Sequence, residues 1–286
     1  MRFLLKNGIT LYLSNIKRAN EKVFITGASG FLGRHVVAAL NDCGVIRCAP
    51  KKRLHEISPF DLEGIGTVIH CAGLIPSRAK FEAELFNTNT EGTRNLIECC
   101  EKAGVGRFIF ISSMGVKYPS AYAQSKLGAE EEVKRSHLNW IILRPAHIIG
   151  PNDEFEGLFK LLSRKAVCAT LGLGNNPFHI VYVKDCASGI VKAALSEECN
   201  KTFNVIDTDC TERRYYKALR SAMEGQFLLM PLPEIVARHR YGASNLSIRK
   251  EGLIIPGIAN WPVDITPVEF VMREIYEELK DSVQIL

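Results

Sequence analysis

Short apolar runs alternate with longer amphipathic stretches along the first half of the chain. The runs are KVFIT (22–26), VIRCA (45–49), TVIHCAG (67–73), RFIFISS (107–113) and NWIILRP (139–145). Between them lie FLGRHVVAALNDCG (31–44), NTEGTRNLIECCEKAGV (89–105) and SAYAQSKLGAEEEVKRS (120–136). Runs this short, rich in β-branched residues and apolar at successive positions, predict strands buried on both faces. The longer stretches, apolar at every third or fourth position, predict helices. Glycines close the first two helices, and Ser120 after Pro119 is placed to cap the third. Repeated β-α-β units imply a fold of the α/β class: a doubly wound parallel sheet with helices on both faces.

Beyond about residue 150 the pattern loosens. DCASGIVKAALSE (185–197), TERRYYKALRSAME (211–224) and PVEFVMREIYEELKD (267–281) predict helices, and KTFNVI (201–206) predicts a strand. Seven prolines, Pro151, Pro177, Pro231, Pro233, Pro256, Pro262 and Pro267, punctuate this part, as expected of a smaller mixed C-terminal lobe.

Composition narrows the function classes. The 286 residues are 47% apolar and 23% charged, with a net charge of +5. The basic residues are scattered apart from Lys51-Lys52-Arg53, so no nucleic-acid partner is expected. The nine cysteines form no Cys-x-x-Cys, which points to reduced thiols in the cytoplasm rather than zinc or a disulfide framework. No apolar stretch has the length of a membrane span. The N-terminal twenty residues are basic and carry no acid before Glu21. They fit a secretory signal poorly and read as an extra arm or an upstream start, with an organelle presequence left open.

The strongest motif is VFITGASGFLGRHVV, where Gly27, Gly30 and Gly33 follow a strand and open a helix. The first glycine permits a tight turn, the second lets backbone approach a pyrophosphate, and the third lets helix and sheet pack. The helix N-terminus offers free N–H groups and partial positive charge to the anion. The sheet is therefore read as a Rossmann dinucleotide-binding domain over 22–150, to which 179–206 returns. Residues 1–21 read as an extension and 151–286 as mostly a substrate lobe. Where a ribose-reading carboxylate is usual, VIRCAPKKR offers Arg47, Lys51, Lys52 and Arg53 instead. A basic cluster attracts a 2′-phosphate that an Asp would repel, so NADP(H) is favoured, with NAD(H) left open.

The motifs TGASGFLG (26–33), HCAG (70–73), NTEGT (89–93), ISS (111–113), YAQSK (122–126) and LRPAHIIGP (143–151) occur in an order that resembles the extended short-chain dehydrogenase/reductases. Within that superfamily the resemblance is to the NAD-dependent epimerase/dehydratase branch. It implies dinucleotide contacts at Gly27, Ser29, Gly30, Phe31, Leu32 and Gly33. It also implies contacts at Asp61 and Leu62 of FDL, at Cys71, Ala72 and Gly73, and at Ser112, Pro145 and His147. Asn89 matches the family's structural Asn, and Ser113, Tyr122 and Lys126 match its catalytic trio. Assembly as a homodimer through the Tyr122 helix is a further implication.

Tyr122 and Lys126 stand one helical turn apart on one face, near a helix N-terminus. The ammonium is expected to lower the phenol's pKa and make Tyr122 a general acid/base for a carbinol or carbonyl. Ser113 would hold the substrate oxygen. The resemblance thus implies an NAD(P)-dependent oxidoreductase acting on a small-molecule secondary alcohol or ketone. Two alternatives stay open: a nucleotide-sugar epimerase, and a non-catalytic NADPH-binding accessory subunit or sensor. Met114-Gly115 stands where the family's dehydratases carry Asp-Glu, and NPFHI (176–180) lacks the Arg that its epimerases use on a nucleotide diphosphate.

Overall fold

The computed structural model describes residues 2–4, 10–12, 22–43, 47–48, 52–151, 157–158, 160–162, 167–225, 227–233, 235–236, 255 and 257–283. Near the N-terminus, β1 (Arg2–Leu4) pairs antiparallel with β2 (Thr10–Tyr12), an element the sequence reading left as an arm. The chain then divides into two units. The first comprises 1–145, 186–205 and 257–263; the second comprises 146–185, 206–256 and 264–286.

The first unit is built on a six-stranded sheet. Its strands are β3 (Lys22–Thr26), β4 (Arg47–Cys48), β5 (Ile65–His70), β6 (Arg107–Ile111), β7 (Asn139–Pro145) and β11 (Lys201–Val205). All neighbours are parallel, in the order β11-β7-β6-β5-β3-β4. Parallel strands flanked by helices bury both faces, which is why β6 reads RFIFI with every residue buried. Phe24, Val68, Phe108, Phe110 and Ile142 point to one face and join a core with Leu96, Ile97 and Cys100 of α3 (Gly92–Ala103) and Ala129 and Val133 of α4 (Ala121–Arg135). Truncating a ring such as Phe108 to Ala would cost about 3–5 kcal/mol.

The helix ends follow from local chemistry. The Ser120 hydroxyl accepts from Ala123 N (3.0 Å), as expected of an N-cap. Gly104 closes α3 in the left-handed region (φ 72°), where a side chain would be strained. One element departs from the sequence pattern, and one is described only in part. Of the second strand expected over 45–49, Arg47–Cys48 form β4 and the other positions lie outside the described residues. The helix expected from Asn89 starts earlier, as a short turn α2 (Glu82–Leu85) joined to α3 by a π-helical segment, Phe86–Glu91.

The second unit carries two small parallel pairs that the sequence pattern did not reveal. β8 (His147–Ile149) pairs with β10 (Ile180–Tyr182), and β9 (Val167–Leu171) with β12 (Leu228–Leu232). Its helices α6 (Glu212–Ala222) and α7 (Val268–Val283) are tied by a bidentate Arg214–Glu269 pair at 2.8 and 3.0 Å. Helix α5 (Val183–Leu195) begins in this unit and runs into the first. Among the described residues no helix is long and apolar enough to cross a membrane.

Candidate active site

The chain leaves β3 for the edge strand β4 and then returns to β5 on the other side. Strand order reverses between β3 and β5, and the ends of these two strands frame a crevice of the kind that binds nucleotides in open α/β sheets. Gly27, at φ 70°, follows β3; Cys71-Ala72-Gly73 follow β5. The two turns touch, since a Cβ on Gly27 would lie 2.6 Å from Ala72 N. A Cβ on Gly33 would lie 2.0 Å from Gly27 O, so these two glycines are required by the chain's own packing. Gly30 differs. Its Cβ would approach only Gly27 O, at 3.2 Å, and it caps α1 (Phe31–Asp42) with no side-chain hydrogen bond and no acid in the first turn. The first-turn N–H groups of Phe31, Leu32 and Gly33 are thus left to an anion, and the exposed Ser29 stands beside them. A dinucleotide pyrophosphate fits this cradle.

The expected adenosine end is arranged differently from the sequence reading. Asp61 accepts from Ser58 N (2.9 Å) and Ser58 Oγ (2.8 Å) and pairs with Lys52 at 2.6 Å. Lys52 first, then the Ser58 donors, hold the carboxyl down at about 2. Lys52 therefore meets a carboxylate rather than open space. Leu62 is fully buried in the core, while Lys51 lies outside the described residues. Pro145 ends β7 in the first unit, whereas His147 opens β8 in the second.

The trio comes together on β6 and α4. Ser113 follows the end of β6, accepts from Gly115 N (3.0 Å) and shares a hydrogen bond with Tyr122. Lys126 is 4% exposed; its Nζ donates to Ile111 O (2.6 Å) and lies 4.3 Å above the Phe110 ring. A Cβ on Gly73 would lie 3.8 Å from this ammonium and 3.4 Å from Asn89 Oδ1, so the β5 turn runs directly past both. Asn89 accepts from Leu74 N (2.7 Å) and donates to Leu74 O and Ser125 Oγ (each 3.0 Å). Ser125 in turn donates to Tyr122 O (2.8 Å).

One electrostatic expectation is corrected. Burial pushes the Tyr122 phenol up, with the Ser113 hydrogen bond opposing it, and Lys126 has no part in the shift. The reason is that the ammonium is turned to the Ile111 carbonyl and is itself disfavoured. Burial lowers it to about 8, against the opposing pull of Glu130 and Cys71. Burial likewise raises the Cys71 thiol to about 12.

Three features near the trio were not singled out from the sequence. Glu130, wholly buried, accepts from Ser112 Oγ (2.6 Å) and takes Arg144 in a bidentate pair at 2.8 and 2.6 Å. His70 is wholly buried between Thr26 and Thr93. Ser125 links Asn89 to α4. The i, i+4, i+8 spacing of Tyr122, Lys126 and Glu130 was the available signal for the first of these.

Residues 23–205 match the model of the NAD dependent epimerase/dehydratase family, well over half of the chain. The chain belongs to this family. Among curated relatives of this epimerase/dehydratase family member, a ceramide reductase of Caulobacter vibrioides is 37% identical over 198 residues, 60% of this chain and 61% of that protein. A decarboxylating sterol-4-alpha-carboxylate 3-dehydrogenase of Saccharomyces cerevisiae is 27% identical over 229 residues, 61% of this chain and 65% of its own length. The matched part thus spans less than two thirds of either relative. The fold also matches RMD of Pseudomonas aeruginosa, solved with NADPH, with a TM-score of 0.67 at 21% identity over 93% of this chain and all of that one.

Proposed function

We propose that this protein is an NAD(P)(H)-dependent oxidoreductase that interconverts a secondary alcohol and a ketone. The observation that carries the reading is the convergence of Ser113, Tyr122 and Lys126 beside the Gly73 turn, on the same sheet as the glycine cradle. A nicotinamide dinucleotide bound there would supply or accept the hydride. The phenol of Tyr122, raised by burial and therefore protonated at neutral pH, gives its proton to the carbonyl oxygen in reduction and recovers it in oxidation. Ser113 holds that oxygen. Lys126, anchored on Ile111 O, offers its remaining N–H bonds to the ribose.

Two properties favour an apolar ketone over a sugar nucleotide: the reductase and dehydrogenase relatives carry lipid substrates in their names, and NPFHI has no Arg. NADP(H) preference rests on Arg53 more than on Lys52, which Asp61 neutralises. Calorimetric titration with NADPH and NADH, followed by a screen of long-chain ketones, tests the reading. Nucleotide binding with turnover lost in Tyr122→Phe is the expected outcome. Turnover retained in that variant overturns the acid/base assignment, and absence of binding by either nucleotide overturns the whole.

A further inference from the structure

His70 ends β5 at the centre of the first unit, with no exposure to solvent. Its ring lies against Phe110 (centroids 5.5 Å apart) and Phe108 (5.9 Å). An imidazole so enclosed must satisfy both nitrogens, and here each meets a hydroxyl: Thr26 Oγ1 at 2.6 Å from Nδ1, and Thr93 Oγ1 at 2.9 Å from Nε2.

The direction of these bonds is fixed from outside the ring. Thr93 donates its only hydroxyl proton to Asn89 O (2.6 Å), so towards His70 it can only accept, and Nε2 carries the hydrogen. Nδ1 is then the acceptor and takes the proton of Thr26. The Thr26 oxygen in turn accepts from Ala72 N (3.3 Å). A single polarised chain runs from Ala72 N–H through Thr26, His70 and Thr93 to the carbonyl of Asn89. From the Asn89 side chain it continues through Ser125 to Tyr122 O.

We propose that His70 is a positioning residue that, held as the Nε2–H tautomer, joins the turn beside the glycine cradle to the segment carrying Asn89 and thereby to the Tyr122 helix. The inference rests on the functional reading above and assigns that reading a residue which touches neither nucleotide nor substrate. Its physical content is that the two sides of the crevice are held in register by hydrogen bonds of one polarity, and reversing any one of them leaves a buried group unmatched. The Asn89 carbonyl is the i−4 acceptor of Thr93, while the Asn89 side chain grips Leu74 and Ser125. Burial first, and the Lys126 ammonium second, oppose a proton on Nδ1, holding the ring's pKa at about 3.

The test has two parts on the full chain. In 15N-histidine-labelled protein, the His70 ring shifts are followed from pH 5 to pH 8, assigned with His70→Gln. The expected result is the neutral Nε2–H pattern throughout. An Nδ1–H pattern, or a ring that titrates near its ordinary pKa, overturns the proposal. In parallel, NADPH and NADH are titrated calorimetrically into wild type, Thr93→Val and Thr93→Ser. Thr93 lies beyond the ring from the glycines, so a merely structural role predicts altered melting with unchanged nucleotide affinity. The proposal predicts about five-fold or greater weakening in Thr93→Val and recovery in Thr93→Ser, which keeps the acceptor oxygen. Equal affinity in wild type and Thr93→Val overturns it; should the Val variant fail to fold, Thr93→Ala replaces it in the same comparison. If wild type binds neither nucleotide, the functional reading falls and this inference falls with it, whereas the ring tautomer reports separately on the chain of bonds.

Discussion

Replacing Glu130 by Gln tests whether the base of α4 is held by charge. In the native site the carboxylate is wholly buried and accepts three hydrogen bonds, at 2.6 Å from Ser112 and at 2.8 and 2.6 Å from Arg144, itself only 8% exposed. Glutamine keeps the volume and one acceptor but removes the charge, and its NH2 faces an Arg144 nitrogen. Breaking a buried pair from one side leaves the other charge uncompensated, at a cost of about 3–5 kcal/mol. With a urea slope of roughly 2–3 kcal/mol per molar for a unit of this size, the unfolding midpoint should fall by about 1–2.5 M. The assay is equilibrium urea unfolding followed by the fluorescence of Trp140 and Trp261, both in the same unit.

The double variant Glu130→Met/Arg144→Met removes both charges and fills the space with apolar atoms. Replacing a buried pair in this way is often close to neutral, so the double variant should be more stable than Glu130→Gln alone. A single substitution costing under about 1 kcal/mol, or a double variant less stable than the single one, would refute the reasoning. Because Glu130 also opposes the lowering of the Lys126 pKa, the glutamine variant should carry a still weaker lysine ammonium.

Other outcomes follow from the same geometry. Gly33→Ala puts a Cβ 2.0 Å from Gly27 O and should weaken NADPH binding by at least about ten-fold in calorimetry, equivalent to about 1.4 kcal/mol; wild-type affinity would show that the turn can relax. In the reduction direction, kcat/KM should be level below neutrality and fall as pH rises through about 8, where the Lys126 ammonium is lost; a limb that stays in place in Lys126→Arg would exclude Lys126 as its source. His70 has a folded pKa of about 3 against an ordinary 6.5, so between these values the unfolded chain binds the extra proton. Its contribution to stability is whole above the upper value and is lost as pH falls through this window. His70→Gln should flatten that part of the stability profile in melts from pH 4 to pH 7, and an unchanged slope would contradict the buried neutral ring.

The amino-acid sequence alone determined the parallel sheet, because strands buried on both faces must be apolar at every position, and KVFIT, RFIFI and NWIILRP announce that without a partner in view. It likewise determined the glycine cradle: Gly27, Gly30 and Gly33 are backbone requirements written at fixed spacing. The Ser120 cap and the Tyr122–Lys126 face were local for the same reason. What the sequence could not determine was whatever depends on which residues meet across the fold. Lys52 read as a free cation until Asp61 was found beside it, and Lys126 read as the partner that lowers Tyr122 until the tertiary structure turned its ammonium to the Ile111 carbonyl and buried both groups. His70 sat in an apolar run like any core residue. Only the approach of Thr26 from β3 and Thr93 from α3 gave its two nitrogens opposite roles. Periodicity and spacing report a residue's surroundings along one element, whereas burial, pairing and proton placement are set by contacts between elements far apart in the chain, and those contacts decide the electrostatics of this site.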